Sequence, residues 1–254
     1  MIFSSWLECA KEDAHRDECL DIGEEGLPGS GRVVILAPHP DDPEVSAVFQ
    51  RTLVRGGWSV RWIILTSAWS GVRDEFVGSD KAAKGAARRV EQTESARLFG
   101  LDPDELVFMD LPEIEDGSLA EIPESFERMS EKLDRESPDI VILPWGMDSN
   151  PTHGLVFRWF EKWREGHGGV TAFYQQDPKS VDFTPHLRVL FDEESACWKA
   201  SLLECHRSQT ERNTATRGIT FSERILAVHR QAAEGSGKPY VEAYRVSGRQ
   251  EFGE

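Results

Sequence analysis

The chain has 254 residues and an acidic balance, 45 Asp and Glu against 29 Lys and Arg, for a net charge of −16. Such a length holds one large α/β domain with a substantial core, and a surface of this sign repels phosphate backbones, which argues against nucleic acid as a partner. No apolar stretch approaches a membrane span, Met1 to Glu8 shows no signal-peptide pattern, and Cys9, Cys19, Cys197 and Cys205 lack zinc-finger spacing, so a cytoplasmic protein with free thiols is expected.

Residues 1–31 are acidic and weakly periodic and end in Gly26-Leu27-Pro28-Gly29-Ser30-Gly31, which reads as an N-terminal arm delivering a loop into the first strand. Apolar runs predict strands near 33–37, 59–66, 105–109, 139–144, 171–174 and 187–191. The first and fourth are continuously apolar, the pattern of strands covered on both faces. Helices are predicted over 81–100, rich in Ala, Arg and Glu, and over 124–136, where Phe126, Met129 and Leu133 recur at helical spacing. Leu155, Trp159 and Trp163 form another stripe, and Trp198, Leu202 and Cys205 a further one. Thr220 and Glu223 read as a capping box that opens a helix carrying Phe221, Ile225 and Val228 on one face. The alternation predicts an α/β fold, a Rossmann-like three-layer sandwich with a mostly parallel sheet flanked by helices. With no internal repeat and no second boundary, residues 32–254 are expected to form a single domain.

Chemistry enters at two strand ends. His39-Pro40-Asp41-Asp42 follows the first apolar run, and His153 follows the fourth. In an open parallel sheet, loops at the carboxyl ends of strands converge on one crevice, so the two segments can meet there as a His/Asp/His metal site. Histidine and carboxylate are good ligands for a divalent ion, and a catalytic site typically supplies three of them and leaves one position open. Of two adjacent aspartates, one can bind the metal while the other faces bound water. Capping offers a plainer use for the acids: Pro43 suits a first helical position, Asp41 or Asp42 would cap it, and Glu44 would sit in its first turn. A cap needs one Asp, however, and neither a second nor a histidine.

Ala37-Pro38-His39-Pro40-Asp41-Asp42-Pro43-Glu44 resembles the AHPDDxE signature of the PIG-L/LmbE-like metal-dependent N-deacetylases. Arg88-Arg89-Val90-Glu91 followed by Leu98-Phe99-Gly100 resembles that family's RxxE…LG helix, and Asp116-Gly117-Ser118-Leu119 its DGxL loop. Lys199 with His206-Arg207-Ser208-Gln209 resembles its K…HxSQ helix, and Tyr240-Val241-Glu242-Ala243-Tyr244-Arg245 its EaF ending, so the similarity spans residues 32–246. The resemblance implies that His39, Asp42 and His153 bind the metal, that Asp41 is the general base on water, and that Arg88 contacts the substrate. A solvated pair with Glu91, three residues on, is the alternative for Arg88. It further implies zinc, with Fe2+ as another divalent candidate, and an N-acyl amino sugar or glycoconjugate of the N-acetylglucosamine type as the partner. Asp148 and Trp145 are read as substrate-binding, with Trp145 and Trp69 offering aromatic faces to a sugar ring.

One position departs from the family pattern. Where D-x-H-P-x-H is usual, this chain has Asp148-x-Asn150-Pro151-x-His153. Asn150 can donate to a developing oxyanion but cannot protonate a leaving amine. Asp41, or else His186 or His206, then has to carry that proton. The expected function is hydrolytic removal of an N-acetyl group from an amino sugar or its conjugate. The alternatives are an amide hydrolase for a longer N-acyl group in a secondary metabolite, and a metal- or sugar-binding pseudoenzyme. A homo-oligomer is compatible with the sequence, which does not fix the oligomeric state.

Overall fold

Strand β2 (Arg32–Ala37) is buried along both faces, and its side chains alternate between two cores. Val33, Ile35 and Ala37 join Phe49, Leu53, Trp62 and Ala196 on one side, while Val34 and Leu36 join Met129, Leu133, Val156 and Phe160 on the other. This is the period-two alternation of a strand sandwiched between helical layers. The structure is a computed structural model that describes residues 19–247.

Around β2 the described chain places β1 (Leu20–Ile22), β3 (Ser59–Ile64), β4 (Leu106–Phe108), β5 (Ile140–Pro144), β6 (Thr171–Gln175), β7 (Leu187–Phe191) and β8 (Tyr240–Val246). They form one sheet in the order β1-β7-β8-β6-β5-β2-β3-β4. All neighbours are parallel except β8, which runs antiparallel between β6 and β7. The helices are α1 (Ala47–Gly56), α2 (Asp74–Val77), α3 (Lys81–Phe99), α4 (Pro123–Glu136), α5 (Pro151–Arg164), α6 (Glu193–Glu204), α7 (Arg207–Arg217) and α8 (Phe221–Ala232). Residues of α1, α3 and α6 pack on the first face of the sheet and residues of α4 and α5 on the second, the expected three-layer α/β sandwich.

Two strands escape the sequence reading. β1 lies in the segment expected to be an arm: Leu20 and Ile22 pack against the core, Asp21 pairs with Arg188 of β7, and Leu27 is buried. Three residues are too few to show a period. β8 carries the wholly buried Glu242 in its middle, and a charge there masks an apolar strand. Met1 to Glu8, where no signal-peptide pattern is expected, and Cys9 lie outside the described residues, whereas Cys19, Cys197 and Cys205 are free thiols. No helix of the described residues is long and apolar enough to cross a membrane.

Most helix starts follow their sequence signals. Thr220 and Glu223 form the capping box, Asp80 caps α3, and Asn150 caps α5 ahead of Pro151. The cap expected from Asp41 or Asp42 does not form. A 3-10 turn, Pro43–Ser46, precedes α1, and neither aspartate side chain caps it. The first amides of α1, Val48 and Phe49, instead donate to the two carboxylate oxygens of Glu242 at 2.9 and 2.8 Å. Lys199 Nζ donates to Glu242 Oε1 and to the carbonyl of Val45, both at 2.6 Å. A residue from the far end of the chain thus caps α1, which frees both aspartates for the crevice.

Candidate metal centre

β2 and β5 are adjacent and in register, Val33 beside Ile140 and Ile35 beside Ile142, so the loops after both leave one edge of the sheet together. The chain runs from β2 to β3 on one side and returns to β5 on the other, a topological switch point where ligands of open α/β sheets bind. His39 and Asp42 come from the first loop and His153 from the first turn of α5. His39 Nδ1 lies 3.2 Å from His153 Nε2 and 3.3 Å from Asp42 Oδ2, and His153 Nε2 lies 3.4 Å from Asp42 Oδ1.

Those separations fit a divalent ion. Donors ~2.0–2.1 Å from a tetrahedral ion stand roughly 3.3–3.4 Å from one another. His153 Nδ1 donates to Asp148 Oδ2 at 2.9 Å, which fixes the tautomer and leaves the Nε2 lone pair for a ligand. Two imidazole nitrogens then face each other across a carboxylate, an arrangement that a cation satisfies. The electrostatics agree. Burial works to lower the basicity of His153, yet the charge of Asp42 and the contacts with Asp148 and Asp177 hold it well above its ordinary value. Burial likewise opposes ionisation of Asp42, but the facing His153 and His39 hold its carboxyl well below the usual range. At His39, by contrast, burial outweighs the pull of Asp42 and lowers its basicity.

Asp41 stands beside this donor set in a strained backbone conformation, with φ of +89°. Its amide donates to Gln92 Oε1 at 2.8 Å, and its Oδ2 accepts from Arg88 Nη2 at 3.1 Å. Arg88 Nη2 also donates to the carbonyl of Pro40. Gln92 passes the network on to Glu44 at 2.8 Å, and Glu44 pairs with His206 at 3.1 Å. Asp41 is therefore held from both its backbone and its carboxylate. A cavity of about 490 Å³ opens over these residues, lined also by Asn150, Asp177, Lys179 and faces of α7 and α8.

The sequence model of the family described as PIG-L: GlcNAc-PI de-N-acetylase matches residues 34–163, the span that supplies all three donors. The chain belongs to this family. Among solved structures it resembles the N,N'-diacetylchitobiose deacetylase from Pyrococcus horikoshii, at 19% identity over 85% of this chain and 83% of that one, with a TM-score of 0.69. It also resembles GalB, the 4-carboxy-2-hydroxymuconate hydratase from Pseudomonas putida KT2440, at 16% identity, 88% and 98% coverage and a TM-score of 0.65. A third is the zinc-inhibited form of the teicoplanin deacetylase Orf2, at 14% identity, 87% and 100% coverage and a TM-score of 0.64. No curated protein sequence matches the chain.

The PIG-L motifs do not all serve the crevice. His39, Asp41, Asp42, Arg88 and Asn150 line the cavity together, and His153 closes the donor set behind them. Two residues read as substrate-binding do not reach it. Trp145 is buried among Phe157, Tyr174 and Phe183, with Arg245 over its ring and its Nε1 donating to Val181, so no face is left for a sugar. The Asp148 side chain is fully enclosed, with Oδ1 accepting the Asn150 amide at 2.6 Å and Oδ2 engaged by His153. It fixes the His153 ring from beneath. Trp69 packs under Lys81. Arg88 does not pair with Glu91, which instead accepts from Ser208 at 2.7 Å through both its amide and its hydroxyl. Neither His206, enclosed against Glu44, nor His186, bonded to Val246, lines the cavity, so neither is placed to protonate a leaving amine.

Asp177 is the residue that the sequence reading does not find. Its Oδ2 lies 3.3 Å from His153 Nδ1, and it lines the cavity. The available signal is positional: it lies just past the carboxyl end of β6, the strand beside β5.

Proposed function

We propose that the chain is a metal-dependent N-deacetylase that hydrolyses the acetamide of an amino sugar or its conjugate. The observation that carries this reading is the meeting of His39 Nδ1, Asp42 and His153 Nε2, 3.2–3.4 Å apart, beside the Asp41 carboxylate that Arg88 holds at the cavity. Family membership and the deacetylases among the similar structures support it. His39, Asp42 and His153 would hold a divalent ion, zinc being our choice, which would supply a water of lowered pKa and polarisation of the acyl oxygen.

The chain's own residues do the rest. Asp41 Oδ2 is held by Arg88, which leaves Oδ1 to take a proton from the attacking water. Asn150 uses its side-chain oxygen to cap α5, accepting from Thr152 at 3.0 Å, so its amide Nδ2 is the end left to donate to a developing oxyanion. Arg88 lines the cavity, and its Nε and Nη1 are buried with no hydrogen-bond partner among the described residues. The protonated Asp41 then returns its proton to the nitrogen of the departing amine. Such general acid assistance contributes about 10²–10⁴-fold.

A hydratase of similar fold shows why fold alone does not decide the reaction. The test is release of free amine from a panel of N-acetyl sugars by zinc-loaded protein, with Asp41→Asn beside it. Turnover that is lost in the variant while zinc is retained supports the reading. Bound zinc with no amine from acetyl substrates but release from longer acyl amides moves the substrate, and no release from any amide leaves a metal-binding pseudoenzyme.

A further inference from the structure

The cavity wall contributed by the C-terminal helices is basic. On α7, Gln209, Arg212, Asn213 and Arg217 recur at helical spacing and all line the cavity, and α8 adds Arg224. Lys179 enters from the loop after β6. In a chain of net charge −16, arginines generally meet carboxylates, as Arg51 meets Glu24, Arg61 meets Glu136 and Arg188 meets Asp21. Among the described residues no carboxylate forms an ion pair with Arg212, Arg217 or Arg224, and the cavity's own acids are committed: Asp41 to Arg88, Asp42 and Asp177 to His153.

The arginines of this wall repel one another. Desolvation, then the charges of Arg88 and Arg217, lower the basicity of the Arg212 guanidinium against the pull of Asp41, and desolvation with Arg217 lowers that of Arg224 against Asp177 and Asp41. A guanidinium does not shed its proton in a protein, so an anion bound between these side chains would offset their mutual repulsion. Arg88 adds an independent sign: it is 2% exposed, and its Nε and Nη1 lack partners.

We propose that Arg212, Arg217 and Arg224 form a subsite for a phosphate or carboxylate on the substrate, so that the amide cleaved at the His39/Asp42/His153 end belongs to an anionic amino-sugar conjugate. The amide half of this statement rests on the deacetylase reading; the anion subsite does not. Calorimetry with amines that cannot turn over separates the two. Glucosamine, glucosamine 1-phosphate, glucosamine 6-phosphate and muramic acid are titrated into the zinc-loaded protein and into R212Q/R224Q, with melting curves to establish that the variant is folded.

At least one anionic amine is expected to bind about tenfold or more tightly than glucosamine, an advantage that shrinks with salt and is lost in R212Q/R224Q. A preference for the phosphates assigns phosphate, and one for muramic acid assigns carboxylate. Equal binding of all four amines overturns the proposal. So does an advantage that survives in the folded variant, because an anion sitting on the metal alone would behave that way. An anionic preference without amine release from the matching N-acetyl compounds sinks the deacetylase reading and leaves the subsite standing.

Discussion

Replacing Asp148 by Asn tests whether this residue orients a ligand or binds substrate. Its carboxylate presents two oxygens to two donors, Oδ1 to the Asn150 amide at 2.6 Å and Oδ2 to His153 Nδ1 at 2.9 Å. Asparagine keeps one oxygen and gains an NH2, so one of the two donors must face another donor whichever way the amide turns. If the NH2 faces His153, the ring is driven to the tautomer that protonates Nε2, the ligating atom. A charge-assisted hydrogen bond contributes about 1.5–3 kcal/mol, and 1.4 kcal/mol is a factor of ten. Zinc affinity should therefore fall about 10–100-fold, in line with the usual cost of losing such a supporting group. Asp177, 3.3 Å from the same Nδ1, is a partial substitute and favours the lower end. Competition with a chromogenic chelator measures the affinity. Kinetics at saturating zinc should then show KM within about twofold of the unmodified protein. Unchanged zinc affinity with a raised KM would refute the orienting role and return Asp148 to the substrate.

Three further outcomes follow. His229 donates from Nδ1 to the Val241 carbonyl and accepts from Lys199 Nζ at Nε2; burial and the Lys199 charge hold it well below its ordinary value of 6.5. The unfolded chain then binds the extra proton below pH 6.5, so stability falls as pH drops through that window, by at most about 1.4 kcal/mol per unit from this group. H229Q should flatten that slope in urea titrations at pH 7 and 5, and equal slopes would contradict the assignment. Gly56→Ala places a methyl 1.8 Å from the Leu27 carbonyl oxygen and should destabilise at or above the upper end of ~1–3 kcal/mol; an unchanged denaturation midpoint would detach residues near 27 from the domain. Trp145→Phe should lower stability by about 1–2 kcal/mol through lost packing and the bond to Val181 while leaving KM for any accepted substrate within twofold. A selectively raised KM would return Trp145 to the site.

Legibility in the sequence tracked how local the signal is. β2 and β5 are continuous apolar runs, and a histidine just past each suffices to bring the donor set to one edge once the sheet is parallel. The capping box at Thr220 and the stripe at Trp159 and Trp163 are equally local. Asp148 and Trp145 were misplaced because position after a strand fixes where a residue starts but not which way its side chain turns. Trp145 turns into the core with Tyr174, and Asp148 turns beneath His153. Asp177 and the α7–α8 arginines have no motif, and their relevance depends on which strands and helices border the cavity. The cap of α1 by Glu242 joins residues 194 positions apart, a contact that no local pattern encodes.

The polar face of α3 shows what the family's charged motifs do here. Arg88, Glu91, Gln92 and Ser95 lie on one side of that helix and are all buried, which rules out the solvated Arg88–Glu91 pair. Arg88 holds the Asp41 carboxylate, Gln92 its amide, and Glu91 the start of α7 through Ser208. Lys199 and Glu242 do the same for the turn after Asp42 by fixing Val45 and the first amides of α1. Replacing buried ionic pairs with apolar packing is often neutral or stabilising, so their presence argues poorly for stability. Their geometry offers a better reason. One helix grips the strained Asp41 through Arg88 and Gln92 and the helix bearing Arg212 and Arg217 through Glu91, which ties the Asp41 end of the cavity to its basic wall. A substrate spanning both ends then meets a fixed distance between them, which is where positioning contributes to rate.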